Sequence, residues 1–484
     1  MNVTLAGYNV DADIIDELKK RSQWTKDNVT PETLSAAYAR ISRDPADIGE
    51  LRKMSREQTA KARKSNELII FGLGHASVAE HAVFNFDIVG ISRLAVEEIQ
   101  KYRLASFTEK SQRYITLDGD YYFPEKLKGT KFENKFRDLV DFQNEVYFSL
   151  YNNLQSDLFK KHEKLISTKR GKMTVDGWAK EDARYAVSLA TNSQFGMTAN
   201  ARTLEHMLRR FRASKLSEIR ELAEKLYEAV HPLSPSIIKY TEPTPYDTER
   251  SDLIRKITAG YSENTQKENA TSKLISITEK PDRELCAALL FNYTEMDYET
   301  CLKKADKMSQ ESKEELVRAS LCSRECFDRV ERAFEAVDFT FEVTVSSSNY
   351  AQLKRHRIST QIVQDYSTEL GVTIPPSIKK IQGDCFNLVI ERSEKLYHEI
   401  AKEFPEYKEY ALTNAHRRRV LLKINARELY HFMSLRADEH AQWDIRNTAE
   451  DMLKLAQKAA PLTSIMLTGK SDFDECKKKV FPLT

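Results

Sequence analysis

Two groups of side chains in this 484-residue sequence combine types and spacing suited to chemistry. In Ser111-Gln112-Arg113 a guanidinium fork stands beside a hydroxyl, a donor set that suits a phosphate monoester. Such a pair is weak evidence alone and gains weight only from its surroundings. The second group is Asn425, Arg436 and His440. A helical residue turns about 100°, so Asn425 and Arg436 lie within roughly 20° of each other, and His440 follows one turn later. The spacing predicts one polar stripe of amide, guanidinium and imidazole, with Leu429, Phe432, Met433 and Leu435 on other faces. An ordinary solvated face with a capping Asn is the plainer reading of the same residues. The run His416-Arg417-Arg418-Arg419 is read as a solvated or oligomer-facing patch rather than an RNA site. The six cysteines make no CxxC pair; Cys322 and Cys326 read as buried thiols, and no metal site is expected.

The elements that position these residues occur twice. FNFDIVGISRLAVEEIQKYRLAS, from Phe84, aligns with FTFEVTVSSSNYAQLKRHRIST, from Phe339. The shift is 255 at Phe84/Phe339 and 254 at Arg103/Arg357, so one residue is gapped. Asn200-Ala201-Arg202 then matches Asn425-Ala426-Arg427 at a shift of 225, leaving 29 extra residues in the first copy, expected as a loop. The halves are copies: residues 1–245, a polar linker at 246–275, and residues 276–484. FNFDI and FTFEV alternate as half-buried strands, whereas SKLSEIRELAEKLYEAV and AEDMLKLAQKAA repeat apolar residues at helical intervals. Each copy is therefore mixed α and β. Gly72-Leu73-Gly74-His75 lacks the third glycine of a dinucleotide fingerprint.

With 75 Lys plus Arg against 73 Asp plus Glu, the net charge of +2 supplies no basic field for nucleic acid. Only 14 Gly and 13 Pro among 31% charged residues indicate a helix-rich protein. The start, MNVTLAGYNVDADIIDELKK, has no leader pattern and no long apolar run follows, so a cytoplasmic location without membrane contact is expected.

The stretch from Lys101 to Tyr114, with Ser106, Glu109, Ser111, Arg113 and Tyr114 in place, resembles the RHR-x-x-S-x-N-E-x-S-x-R-Y signature of flavin-dependent thymidylate synthases. GHASVAEH (Gly74 to His81) and the ISR before the signature resemble the same family. So do Gln352 and Arg355-His356-Arg357 in the second copy, and NARELYHFMSLRADEHAQWDI from Asn425. The resemblance implies an α+β fold, two copies of a domain with an antiparallel sheet flanked by helices. It implies reductive methylation of dUMP to dTMP, with FAD as cofactor and NADPH and methylenetetrahydrofolate as co-substrates. By the same resemblance Arg436 is catalytic and stabilises charge developing on the uracil. Glu109, Ser111, Arg113, Arg184 and Gln352 bind the nucleotide. His75, Ser77, Glu80, Arg355, His356, Arg357, Asn425, Arg427, His431 and His440 serve the flavin or folate side. No cysteine lies near these motifs, and the family's chemistry needs none.

The copies depart from the pattern in complementary ways. The first has Lys101 and Tyr102 for Arg and His, Glu98 for Gln, and Phe211 where the catalytic Arg belongs. The second keeps Gln352, Arg355, His356, Arg357 and Arg436 but reads STQIVQDYS for the phosphate-binding stretch, and has Glu409 near the place of Arg184. Family enzymes are tetramers with sites built from several subunits. A homodimer forming a pseudo-tetramer, with sites composed from both copies, is therefore expected. A related flavoenzyme acting on another pyrimidine nucleotide, or a non-catalytic nucleotide-binding paralogue, are the alternatives.

Overall fold

The computed structural model describes residues 1–20, 29–40, 46–261 and 271–482. They form two compact units, one of Met1–Val146, Val187–Thr265 and Glu391–Leu412, the other of Tyr147–Ala186, Gln266–Ile390 and Thr413–Thr484. Each unit takes its sheet from one half of the sequence and a helical segment from the other.

In the first unit β1 (Asn2–Tyr8), β2 (Val83–Ser92), β3 (Ala105–Glu109) and β4 (Asn192–Asn200) form an antiparallel sheet in the order β1-β2-β4-β3. Alternation along β2 buries Phe84, Phe86 and Ile88 and leaves Asn85 and Asp87 outside. The helices of this half that bear on the site are α1 (Arg93–Ile99), α2 (Phe132–Lys161), α3 (Lys169–Ala183), α4 (Ala201–Arg212) and α5 (Ser217–Val230). Leu204, Met207 and Leu208 of α4 and Ile219, Leu222 and Leu226 of α5 join the strand residues in one apolar core.

The second unit repeats the plan. β5 (Ser272–Ile277), β6 (Asp338–Ser346), β7 (Thr360–Val363) and β8 (Arg417–Asn425) pair antiparallel in the order β5-β6-β8-β7. Its helices include α6 (Ser347–Leu353), α7 (Pro376–Ala401), α8 (Ala426–Arg436) and α9 (Trp443–Ala459). Phe339, Phe341 and Val343 of β6 pack with Leu429, Phe432 and Met433 of α8 and Ile445, Ala449 and Met452 of α9. The two sheets bear out the α+β expectation.

The one-residue gap in the repeat is a β-bulge. Against β4, the register of β2 shifts between Val89 and Ile91, and the extra residue is Gly90 at φ +75°. β6 pairs with β8 without a shift. A glycine takes that left-handed backbone without the steric cost a Cβ would bring. Past the bulge, equivalent serines cap equivalent helices: Ser92 Oγ accepts from Ala95 N at 2.9 Å, and Ser346 Oγ from Asn349 N at 3.0 Å.

Several expectations of local structure change. The extra residues of the first copy are helical: α2, a short helix Glu163–Ile166 and α3 stand where the second half has the single helix α7, kinked at Gln382. The linker carries helices at Pro245–Thr248 and Arg250–Thr258, while 262–270 lie outside the described residues. The basic run is not a solvated patch. His416 and Arg418 are buried, because strand alternation turns Arg418 inward onto Tyr366, 3.7 Å from its ring centre. Cys322 is exposed and Cys326 half-buried; the buried thiols are Cys286 and Cys301. Among the described residues no helix is long and apolar enough to cross a membrane.

Candidate active site

Arg436 of the second copy is the last residue of α8, the helix that Asn425 starts by accepting from Glu428 N at 2.9 Å. From there Arg436 Nε donates to His356 Nε2 at 3.0 Å and Nη2 donates to the Gln352 carbonyl at 3.3 Å. Since a guanidinium nitrogen can only donate, His356 accepts at Nε2, and its neutral ring carries the proton on Nδ1. Nδ1 lies 3.5 Å from Glu428 Oε1. Burial pulls the His356 pKa down to about 4, with the Arg436 charge acting in the same direction and Glu428 opposing both. The imidazole also meets Phe432 edge-on at 4.7 Å and His431 at 5.9 Å.

Gln352, the last residue but one of α6, is buried, and among the described residues neither its Nε2 nor its Oε1 has a hydrogen-bond partner. A buried amide left without partners costs about 1–3 kcal/mol per group, which a ligand's polar edge can recover. Arg355 and Arg357, either side of buried His356, are both exposed. The sequence therefore alternates outward guanidiniums, suited to a phosphate, with an inward imidazole. His356, Glu428 and His431 each place a ligand atom within 4.8 Å of the others. The Arg436 charge at 3.0 Å from His356 Nε2 disfavours a cation on that imidazole.

The corresponding place in the first unit is filled by rings. Tyr102 stands for His356 at a shift of 254, and Thr203, His206 and Phe211 stand for Glu428, His431 and Arg436 at 225. Tyr102 meets Phe211 at 5.5 Å and His206 at 5.8 Å, both edge-on, and Phe211 is buried. Glu98, in the place of Gln352, forms an exposed ion pair of 2.6 Å with Lys101. A hydrogen-bonded constellation in one copy is aromatic packing in the other.

Other candidate residues are held as follows. Glu109 accepts from Arg93 at 3.1 Å, Gln100 at 3.2 Å and Ser193 at 3.3 Å. Ser111 Oγ accepts from Arg113 N at 3.2 Å, and the Arg113 guanidinium lies 5.5 Å from the Tyr114 ring. Arg184 is buried in the second unit, its Nε donating to Glu181 O at 3.3 Å and its carbonyl accepting from Asn414 at 3.0 Å. His75 and Ser77 are exposed on a 3-10 turn. Glu80 pairs with Arg202 at 2.6 Å, and the equivalent Arg427 pairs with Glu335 at 3.0 Å. That bridge, kept in both copies, ties the turn before one strand to the helix after another.

The single polar stripe does not extend to His440. α8 ends at Arg436, and the chain turns at Asp438, whose carboxylate meets His440 Nδ1 at 3.1 Å. The stop is tertiary. Lys470 N donates to Ser434 O at 3.2 Å, and a Cβ on Gly469 would come within 2.4 Å of the Ala437 carbonyl oxygen. His440 is thereby left exposed. Glu428 was missed for a local reason: an acid three residues after a capping Asn reads as the start of a helix. Its replacement by Thr203, together with Tyr102 for His356 and Phe211 for Arg436, was the available signal.

Residues 25–236 and 273–462 each match the model of the thymidylate synthase complementing protein family, and the chain belongs to that family as a tandem member. A Chlamydia muridarum protein described as a UPF0159 protein is 27% identical over 81% of this chain and 78% of its own length. A flavin-dependent thymidylate synthase from Clostridium tetani is 29% identical, over 44% of this chain and 83% of its own. A solved structure of the flavin-dependent thymidylate synthase ThyX from Helicobacter pylori, complexed with FAD and dUMP, is 20% identical at a TM-score of 0.29. It spans 50% of this chain and 100% of that one.

Proposed function

We propose that the chain is a flavin-dependent thymidylate synthase that converts dUMP to dTMP with methylenetetrahydrofolate and NADPH. The carrying observation is the Arg436–His356 hydrogen bond beside the unpartnered amide of Gln352, present in one copy and replaced by packing in the other. Arg436, held at two of its nitrogens, offers a fixed positive charge to the anion that develops on the uracil ring. The Gln352 amide offers a donor and an acceptor to the edge of the base, and exclusion of water around it strengthens both.

FAD, when bound, supplies the electron-transfer chemistry of the reduction and mediates methylene transfer. The donor set fits such a dinucleotide: exposed Arg355 and Arg357 suit its phosphates, and His431 and His440 lie along the same stretch. Asn425 is committed to capping α8 and Arg427 to Glu335, so both act by shaping the helix start. Ser111 and Arg113 supply a phosphate fork. In this reading the two copies at 1–245 and 276–484 contribute complementary residue sets, and a homodimer in the cytoplasm supplies four domains. The test is an absorbance spectrum of purified protein supplied with FAD, with and without dUMP, followed by turnover to dTMP. A flavin spectrum perturbed by dUMP, with dTMP formed, supports the assignment. A protein that binds dUMP but no flavin would favour the non-catalytic paralogue.

A further inference from the structure

We infer that Glu428 is a positioning residue that fixes the tautomer of His356 and, through it, the orientation of the Arg436 guanidinium. The inference rests on the reading of Arg436 as the charge-stabilising group. Glu428 Oε1 stands 3.5 Å from Nδ1, on the opposite edge of the ring from the nitrogen that accepts from Arg436 at 3.0 Å. A carboxylate there accepts the Nδ1 proton and leaves Nε2 as the only acceptor for Arg436. Without it, a ring protonated on Nε2 would present a hydrogen to the guanidinium, and the hydrogen bond could not form.

The repeat within the chain supplies a second, independent argument. Where Arg436 is replaced by Phe211, His356 is replaced by Tyr102 and Glu428 by Thr203. Residues whose work is structural did not change with them: the capping Asn200 and Asn425, the Glu80–Arg202 and Glu335–Arg427 bridges, and the capping Ser92 and Ser346 are all present twice. Glu428 therefore sorts with the imidazole and the guanidinium, not with the helix cap three residues before it. The cap at Asn200 forms equally well over Thr203, at 2.8 Å, so the helix start does not need the acid.

The experiment compares full-length wild type with Glu428→Gln and Glu428→Thr. The first keeps an acceptor without the charge. The second installs the residue that the same helical position already tolerates in the first copy. Nitrogen-15 spectra of the histidine side chains give the His356 tautomer without reference to activity. Wild type and Glu428→Gln should show the proton on Nδ1, and Glu428→Thr a mixture of tautomers. Steady-state kinetics should then show kcat reduced roughly tenfold or more in Glu428→Thr, with the dUMP KM changed far less and much of kcat restored in Glu428→Gln. A wild-type tautomer in Glu428→Thr would overturn the inference whatever the activity. The expected tautomers in a protein that makes no dTMP would instead leave the positioning intact and remove the thymidylate synthase reading.

Discussion

Tyr185 donates a hydrogen bond of 2.8 Å to Asp444 Oδ2, the same carboxylate oxygen that accepts from Ser346 Oγ at 2.6 Å. In the other unit Tyr410, 225 residues later in the chain, donates at 2.5 Å to Glu218, which also accepts from Ser92 Oγ. Each network ties the serine at the end of a central strand to a buried carboxylate and a tyrosine from the opposite half of the sequence. Burial raises the Glu218 pKa, with the hydrogen bonds from Ser92 and Tyr410 opposing. Because these networks persist in both copies while the Arg436 cluster does not, they are scaffold.

Tyr185→Phe and Tyr410→Phe should therefore have matching effects. Each leaves a buried carboxylate short of a donor and should cost about 1–3 kcal/mol of stability, with flavin content unaltered. Denaturant unfolding of the two variants measures this. Loss of bound flavin in folded Tyr185→Phe would assign that network to the site instead.

On the proposed function, in which the guanidinium acts chiefly as charge develops, Arg436→Ala should abolish turnover while leaving flavin bound. Phe211→Ala should cost about 3–5 kcal/mol of stability, the range for emptying a buried aromatic position, and spare the chemistry. Turnover and thermal melting of both variants separate the roles. The reverse pattern would place the catalytic group in the wrong copy.

Arg113→Ala should weaken dUMP binding by roughly 1.5 to 3 kcal/mol, the range for hydrogen bonds to a charged partner. Asp365→Ala, which stands for Ser111 at the 254-residue shift, should do little. Calorimetric titration of dUMP into each variant decides it, and equal losses would mean that both copies grip a phosphate.

His356 and His416 both have pKa values pulled to about 4, by burial foremost. The unfolded chain takes up these protons near pH 6.5 and the folded chain only near 4, so stability rises with pH across that window and is lost on acidification through it. Each histidine contributes on the order of 3 kcal/mol to the loss. Histidine titration by NMR should find both rings neutral at pH 5.5; a protonated His356 there would contradict the tautomer assigned to it.

The strands were legible because one face of each is buried, so Phe84-Phe86 and Phe339-Phe341 had to alternate. The bulge at Gly90 was visible as a gap, though not as a bulge. What escaped local reading depends on distant chain. The stop of α8 is set by Gly469 and Lys470, which is why His440 leaves the helix. Arg418 is buried because Tyr366 and Tyr350 receive its charge. Glu428 enters the site only through its place beside His356, which no local sequence pattern shows.

The central claim of the proposed function is that one copy of each chain holds the Arg436–His356 constellation that acts on the base, and the other has packing around Tyr102 and Phe211 in its place. Sedimentation of the full chain saturated with FAD, combined with flavin absorbance, tests it most directly. A dimer of chains should carry about one FAD per chain, and titration should find about one dUMP per chain. Two tightly bound flavins per 484-residue chain would contradict the account.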